Sequence, residues 1–75
     1  MPDKYRLLIN GEIVVTKNSY DDILNAYVRR SKRLETKILE HNDIGACITL
    51  EIRELFYDKP ILAKTIRGKD VLYGR

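Results

Sequence analysis

The segment SYDDILNAYVRRSKRLETKILEH, residues 19–41, decides the fold of this chain. Ser19 suits the N-cap of a helix, and Asp22 follows three residues later, as in a variant of the capping box. The segment NDIG at 42–45 supplies turn residues that end a helix. The sequence therefore predicts one long helix that begins after Ser19 and ends near His41.

One face of this predicted helix is apolar. Residues that follow one another at alternating steps of four and three share that face. They are Tyr20, Leu24, Tyr27, Ser31, Leu34, Ile38 and His41, with Ile23 and Val28 beside them. The polar Ser31 interrupts the stripe, which is too broken for a coiled coil. We therefore expect the helix to lie across a sheet.

A β-hairpin is predicted before the helix, because two apolar runs flank Asn10 and Gly11 in the segment YRLLINGEIVVT. A two-residue turn would pair Leu8 with Ile13 and leave both faces half apolar. A bulged turn instead pairs Leu7 with Ile13 and collects most apolar side chains on one face, so it is the register we expect. That face would carry Tyr5, Leu7, Ile9, Ile13 and Val15, leaving outside Leu8 and Val14.

A second hairpin is predicted after the helix. The run ACITLEIRELFY alternates between two faces, and ILAKTIR follows the turn residues 58–60. A loop of odd length pairs Phe56 with Leu62 and Glu54 with Lys64, whereas a loop of even length separates the apolar pairs. We expect the odd loop, because it matches the acid to the base. The face toward the helix would then carry Ile48, Leu50, Ile52 and Phe56.

These elements predict an α+β fold of order ββαββ, in which two β-hairpins flank one long helix packed on one face of a small sheet. The 75 residues suit a single domain over positions 1–75. A chain of this size buries only roughly 60% of its unfolded surface, so dimerisation or docking commonly adds stability. Residues 68–75 either extend or cover the sheet or form a flexible or docking tail.

No group of residues predicts catalysis, and no cofactor or metal is expected. His41 has no facing nucleophile or carboxylate, and its place at a helix end favours a capping role. Cys47, the single cysteine, has no basic neighbours, so we expect a packed or partly covered thiol. The sequence predicts neither a signal peptide nor a membrane span, which would need roughly 20 apolar residues. A cytoplasmic, non-enzymatic protein is the expectation.

The basic residues are concentrated in the middle of the predicted helix. Between Arg29 and Lys37 the chain has five basic residues and one acidic residue, which gives a local charge of +4. Because the whole chain carries +3, the remainder sums to −1. Arg29, Arg33 and Lys37 are spaced four apart on the solvent side, and Arg30 borders them. Folding does not require such a strip, so we predict that it contacts a partner.

The residues predicted to bind a partner are Arg29, Arg30, Arg33, Lys37 and Tyr57, the last as an aromatic anchor. The first hypothesis is a small homodimeric protein-binding module that regulates or inhibits a larger macromolecule by occupying its surface. Small regulators from phages and mobile elements have this general build. The alternative is a nucleic-acid-binding regulator that uses the same basic helix face, and a third hypothesis is a structural subunit of an assembly.

Overall fold

A computed structural model describes residues 3–74, which form a four-stranded antiparallel sheet, a long helix and a short helix. The elements are β1 (Tyr5–Ile9), β2 (Glu12–Lys17), α1 (Tyr20–His41), β3 (Cys47–Glu54), β4 (Leu62–Arg67) and α2 (Gly68–Tyr73). The strand order is β2-β1-β3-β4, so β2 and β4 are the two edges of the sheet. The predicted α+β class and the ββαββ order are confirmed, and α2 is added at the end.

The caps of α1 are those that the sequence predicts. The Ser19 hydroxyl accepts a hydrogen bond of 3.2 Å from the backbone N–H of Asp22. At the other end Asn42 adopts a left-handed conformation, with φ at 51°, and its N–H donates to the carbonyls of Ile38 and Leu39. The 22 residues of α1 extend about 33 Å. The helix therefore runs along most of the 42 Å length of the molecule.

The core lies between α1 and one face of the sheet, here called the inner face. The side chains buried there are Leu7, Ile23, Tyr27, Ile38, Leu50, Ile52 and Ile66. Each fully buried aliphatic side chain contributes about 1.5–3 kcal/mol relative to exposure. Tyr5 and Tyr20 meet edge to face, with ring centroids 5.7 Å apart, beside this core. The predicted apolar stripe of α1 is confirmed except at its last position, His41, and at the flanking Val28, which are both exposed.

The first hairpin turns more tightly than we expected. Asn10 and Gly11 both have positive φ, 52° and 85°, as a two-residue turn between twisted strands requires. Leu8 consequently pairs with Ile13, and the predicted pairing of Leu7 with Ile13 is wrong. Ile13 lies on the outer face and is 53% exposed rather than buried.

A β-bulge in β2 then shifts the register. Leu7 pairs with Val15, so Val14 is the extra residue. This shift returns Val15 to the inner face, where it packs against the core. Val14 stays 38% exposed, as expected, whereas Leu8 is only 7% exposed although it lies on the outer face. The expectation that Leu8 is exposed is therefore wrong.

The second hairpin has a longer loop than we expected. β3 ends at Glu54 and β4 begins at Leu62, so that Leu62 pairs with Ile52 and not with Phe56. Glu54 pairs with Tyr5 of β1 and lies beyond the last pair of β3 with β4, so its predicted pairing with Lys64 is wrong. Phe56 lies in the loop and is 90% exposed. The strand faces themselves follow the predicted alternation, because the register is displaced by an even number of residues.

The C-terminal segment forms α2 rather than a further strand. Val71 and Leu72 pack against the core, and Gly68 is buried. A Cβ atom at position 68 would collide with the carbonyl oxygen of Asp43, so only glycine fits where α2 meets the end of α1. Arg75 lies outside the described residues.

The thiol of Cys47 is not packed as expected. Cys47 opens β3 and pairs with Arg67, the last residue of β4. It lies on the outer face and is exposed. The sequence pattern assigned the correct face to this residue but did not reveal that this part of the face is open.

Replacing the N-cap should destabilise the fold by a defined amount. We expect Ser19→Ala to lower the free energy of unfolding by about 1 kcal/mol, because the N–H of Asp22 loses its acceptor. Urea unfolding followed by circular dichroism measures this loss. Ser19→Asp keeps an acceptor and should leave stability nearly unchanged; equal losses in both variants would contradict the capping role.

Candidate partner-binding groove

A groove with a volume of about 430 Å³ runs between α1 and the edge strand β2. Its basic lining residues are Lys17, Arg29, Arg30 and Arg33, and its one acidic lining residue is Asp22. The remaining walls come from Val15, Asn25 and Ala26. We call this surface the basic groove.

The helical repeat brings the α1 side of the basic groove together. Asp22, Ala26, Arg29, Arg30 and Arg33 follow one another at steps that keep them on one flank of the helix. Ala26 is small and partly buried against the core. The charged side chains on either side of it therefore border a concave surface.

The β-bulge determines which residues of β2 line the basic groove. Because Val14 is the extra residue, Val15 and Lys17 both lie on the inner face, toward α1. Val15 packs on the core and Lys17 stands at the end of the strand. Without the bulge Thr16 would face α1 instead. The charge contributed by β2 therefore depends on the register of the hairpin.

The basic side chains that line the basic groove have no ionic partner within residues 3–74. The only ion pair closer than 4.0 Å in this part of the chain joins Arg53 to Glu51, at 3.0 Å, on the outer face. Arg29 and Arg33 are exposed, and Arg30 is half-buried. Charges of one sign in a concave surface focus the electrostatic field and attract opposite charge. The groove is therefore a candidate site for an acidic group.

The structure groups only part of the predicted site. Arg29, Arg30 and Arg33 line the basic groove together, and Lys37 is exposed further along α1 without lining it. Tyr57 belongs to the loop between β3 and β4 and does not line the groove either. Sequence reasoning missed Lys17, because the predicted hairpin ends at Thr16, whereas β2 extends to Lys17.

The β3–β4 loop forms a second exposed surface, which is apolar. Phe56 is 90% exposed, Tyr57 61% and Ile61 46%. The N–H of Tyr57 donates to the carbonyl of Glu54 at 3.1 Å, which closes a turn with Phe56 at its third position. Phe56 has φ at 75°, where glycine or asparagine is preferred. This phenylalanine thus adopts an unfavourable backbone conformation without burying its ring.

The outer face of the sheet is polar at its centre. Arg6 lies directly opposite Arg53 across β1 and β3, and like charges in this arrangement are destabilising. Glu51 offsets part of the repulsion through its contact with Arg53. The Nε atoms of both arginines are buried without a hydrogen-bond acceptor, while Arg6 donates to the carbonyl of Glu54 at 3.3 Å.

Tyr27 carries the one resolved pKa shift within residues 3–74. Burial raises the pKa of its hydroxyl, and the neighbouring Tyr20 adds to the effect. The ammonium of Lys64 lies 5.4 Å from the centre of the Tyr27 ring. The hydroxyl therefore stays protonated near neutral pH, and it adds no negative charge beside α1.

No set of three or more His, Cys, Asp or Glu side chains within residues 3–74 is arranged to hold a metal ion. In the same range, no helix combines the length and apolar character of a membrane span. Comparisons with protein-family models, curated proteins and solved structures each found no match.

Relieving the strain at Phe56 should stabilise the protein. We expect Phe56→Gly to raise the free energy of unfolding by about 1 kcal/mol, because glycine adopts positive φ without a steric penalty and almost no buried contact is lost. Phe56→Ala keeps the Cβ atom and should leave stability nearly unchanged. Urea unfolding compares the two variants; a loss of stability in Phe56→Gly would show that the ring contributes to folding.

Proposed function

We propose that this protein is a non-enzymatic binding module that regulates or inhibits a larger macromolecule by occupying its surface. The observation that carries the proposal is the basic groove, in which four basic side chains converge without an ionic partner in the described residues. Neither the helix caps nor the core requires these charges. An acidic partner would neutralise them and gain from the field they produce together.

A protein is the partner that the exposed residues favour. Arginine and aromatic side chains contribute most of the binding energy at many protein interfaces. This chain exposes both, at the basic groove and at Phe56 and Tyr57. A standard interface covers about 800 Å² on each partner. The chain has 5405 Å² of accessible surface, so such an interface takes up only a small part of it.

A homodimer is also part of this proposal, and β4 is the edge that supports it. β4 pairs with β3 without a bulge, and it exposes the small side chains of Ala63 and Thr65. An open and regular edge pairs readily with a second strand. The outward backbone groups of Thr65 would then hydrogen-bond to the second copy.

The dimer is tested by sedimentation equilibrium. We expect association that weakens by at least about tenfold in Thr65→Pro, because proline removes one outward N–H from the edge. Thr65→Val keeps this N–H and serves as the matched control. A chain that remains monomeric at every concentration, or a proline variant that associates like the control, would contradict pairing through β4.

Nucleic-acid binding is the second candidate function. It is favoured by the exposure of Arg29, Arg33 and Lys37 along a single helix face. Basic residues in such a row can follow a phosphate backbone, and affinity then falls steeply as salt rises. If the wild-type protein does not shift the electrophoretic mobility of either DNA or RNA at low salt, this candidate fails. If both bind, Glu substitution at all three positions should abolish the shift.

Charge reversal tests the basic groove itself. We expect Arg29→Glu with Arg33→Glu to weaken binding of a poly-glutamate probe by at least about tenfold at low salt, because repulsion replaces attraction. Lys32→Glu with Lys69→Glu changes the net charge equally at exposed positions that do not line the groove. Fluorescence anisotropy measures both variants. Equal losses in the two would show that only net charge matters and would contradict the groove.

A further inference from the structure

The basic groove lies beside the open edge of β2, whose backbone groups can be assigned from neighbouring hydrogen bonds. The N–H of Asn10 donates to Thr49 at 2.8 Å, and the N–H of Leu55 donates to Lys4 at 2.7 Å. Positions 4 and 10 of the first strand region therefore face β3. Because this orientation alternates along a strand, Arg6 also faces β3.

The same alternation orients the backbone of β2. Arg6 pairs with Thr16, and since Arg6 bonds to β3, the N–H and C=O of Thr16 point away from β1. Thr16 is exposed. On either side of it, Val15 and Lys17 bond to β1 and direct their side chains to the inner face. The edge thus presents a donor and an acceptor directly beside the basic side chains.

We propose that an extended acidic segment of a protein partner binds along β2 as a fifth strand, with its carboxylates over the basic groove. This inference rests on the proposed function and specifies its partner. Side chains alternate along an added strand, so every second residue would face α1. Acidic residues at those positions would reach Lys17, Arg29, Arg30 and Arg33.

Charge complementarity decides between this occupant and a second copy of the chain. Pairing of β2 with β2 of another copy would bring two basic groove surfaces together at the new interface. The repulsion between Arg29, Arg30 and Arg33 of both copies would then oppose the pairing. An acidic segment supplies the missing negative charge and leaves the backbone pairing unopposed.

The edge also distinguishes a peptide from a nucleic acid. A peptide strand offers N–H donors and C=O acceptors in the pattern that Thr16 presents. A phosphodiester offers acceptors only, so it leaves the Thr16 carbonyl without a partner. The bulge at Val14 limits the regular edge to a few residues, so charge contributes much of the affinity and binding should weaken with salt.

The test uses a short synthetic peptide that alternates glutamate with valine or threonine. Fluorescence anisotropy at about 50 mM salt measures its binding to the wild-type protein and to variants. We expect Thr16→Pro to weaken binding by roughly tenfold, because proline removes the outward N–H while every basic side chain stays. Thr16→Val keeps this N–H and loses only the 3.0 Å hydrogen bond to Asp3, so binding should change by less than about twofold.

A second measurement leaves the protein unchanged, which keeps the test valid if the proline variant does not fold. The peptide is N-methylated at alternate residues, in two complementary versions. Strand addition requires that one version loses binding and the other retains it. Equal binding of both versions, or a folded Thr16→Pro variant that binds like the control, would overturn strand addition.

The remaining outcomes separate this inference from the proposed function. Loss of binding in Arg29→Glu with Arg33→Glu, without any effect at Thr16, would retain the basic groove and overturn only the fifth strand. A wild-type protein that binds no acidic peptide at low salt overturns the inference. An oligonucleotide that binds more tightly than the peptide also overturns the inference. That result supports nucleic-acid binding, the second candidate function. If the wild-type protein binds the peptide, and neither Arg29→Glu with Arg33→Glu nor Thr16→Pro weakens that binding, both proposals are contradicted.

Discussion

The bulge at Val14 is the constraint on which the arrangement of this small sheet depends. The turn at Asn10 and Gly11 sets one register, which places Ile13 on the outer face. In that register a regular β2 would direct its even-numbered residues toward α1. Burial of apolar surface beneath α1 instead requires the odd-numbered residues to face the helix further along β2. One extra residue satisfies both requirements, so Val15 reaches the core. The same residue directs Lys17 toward the helix, and the fold and the charged surface therefore share one cause.

Local signals in the sequence were sufficient for α1, and non-local competition limited the rest. The cap at Ser19 depends on neighbouring residues, and the inward position of Tyr27 follows from the helical period, so both could be predicted. Strand register depends on which strands meet. The sequence allows Glu54 to pair with β4, but the last pair between β3 and β4 joins Ile52 to Leu62, so Glu54 pairs only with Tyr5 of β1. Phe56 therefore falls in the longer loop between β3 and β4, where its side chain is exposed, and no local pattern indicates this.

The candidate site could likewise be predicted on the helix side but not on the strand side. The cluster at Arg29 and Arg33 was visible as charge on one helix face, because helical spacing is regular. The opposite wall at Lys17 was not predicted, because the predicted hairpin ended at Thr16 and β2 extends one residue further. The groove charges and the ring of Phe56 also share a physical property, since neither is part of the buried core. The groove charges have no ionic partner in the described residues, and Phe56 adopts an unfavourable φ without burial.

The exposure of Cys47 has a practical consequence for work in solution. It is the single cysteine of the chain, and it lies on the sheet face opposite α1. A maleimide dye or a nitroxide label would therefore attach at one position without mutagenesis. Because the sheet separates this position from the basic groove, the label would not obstruct a bound peptide. Under oxidising conditions the same thiol could join two copies covalently, so a reducing agent belongs in every measurement of self-association.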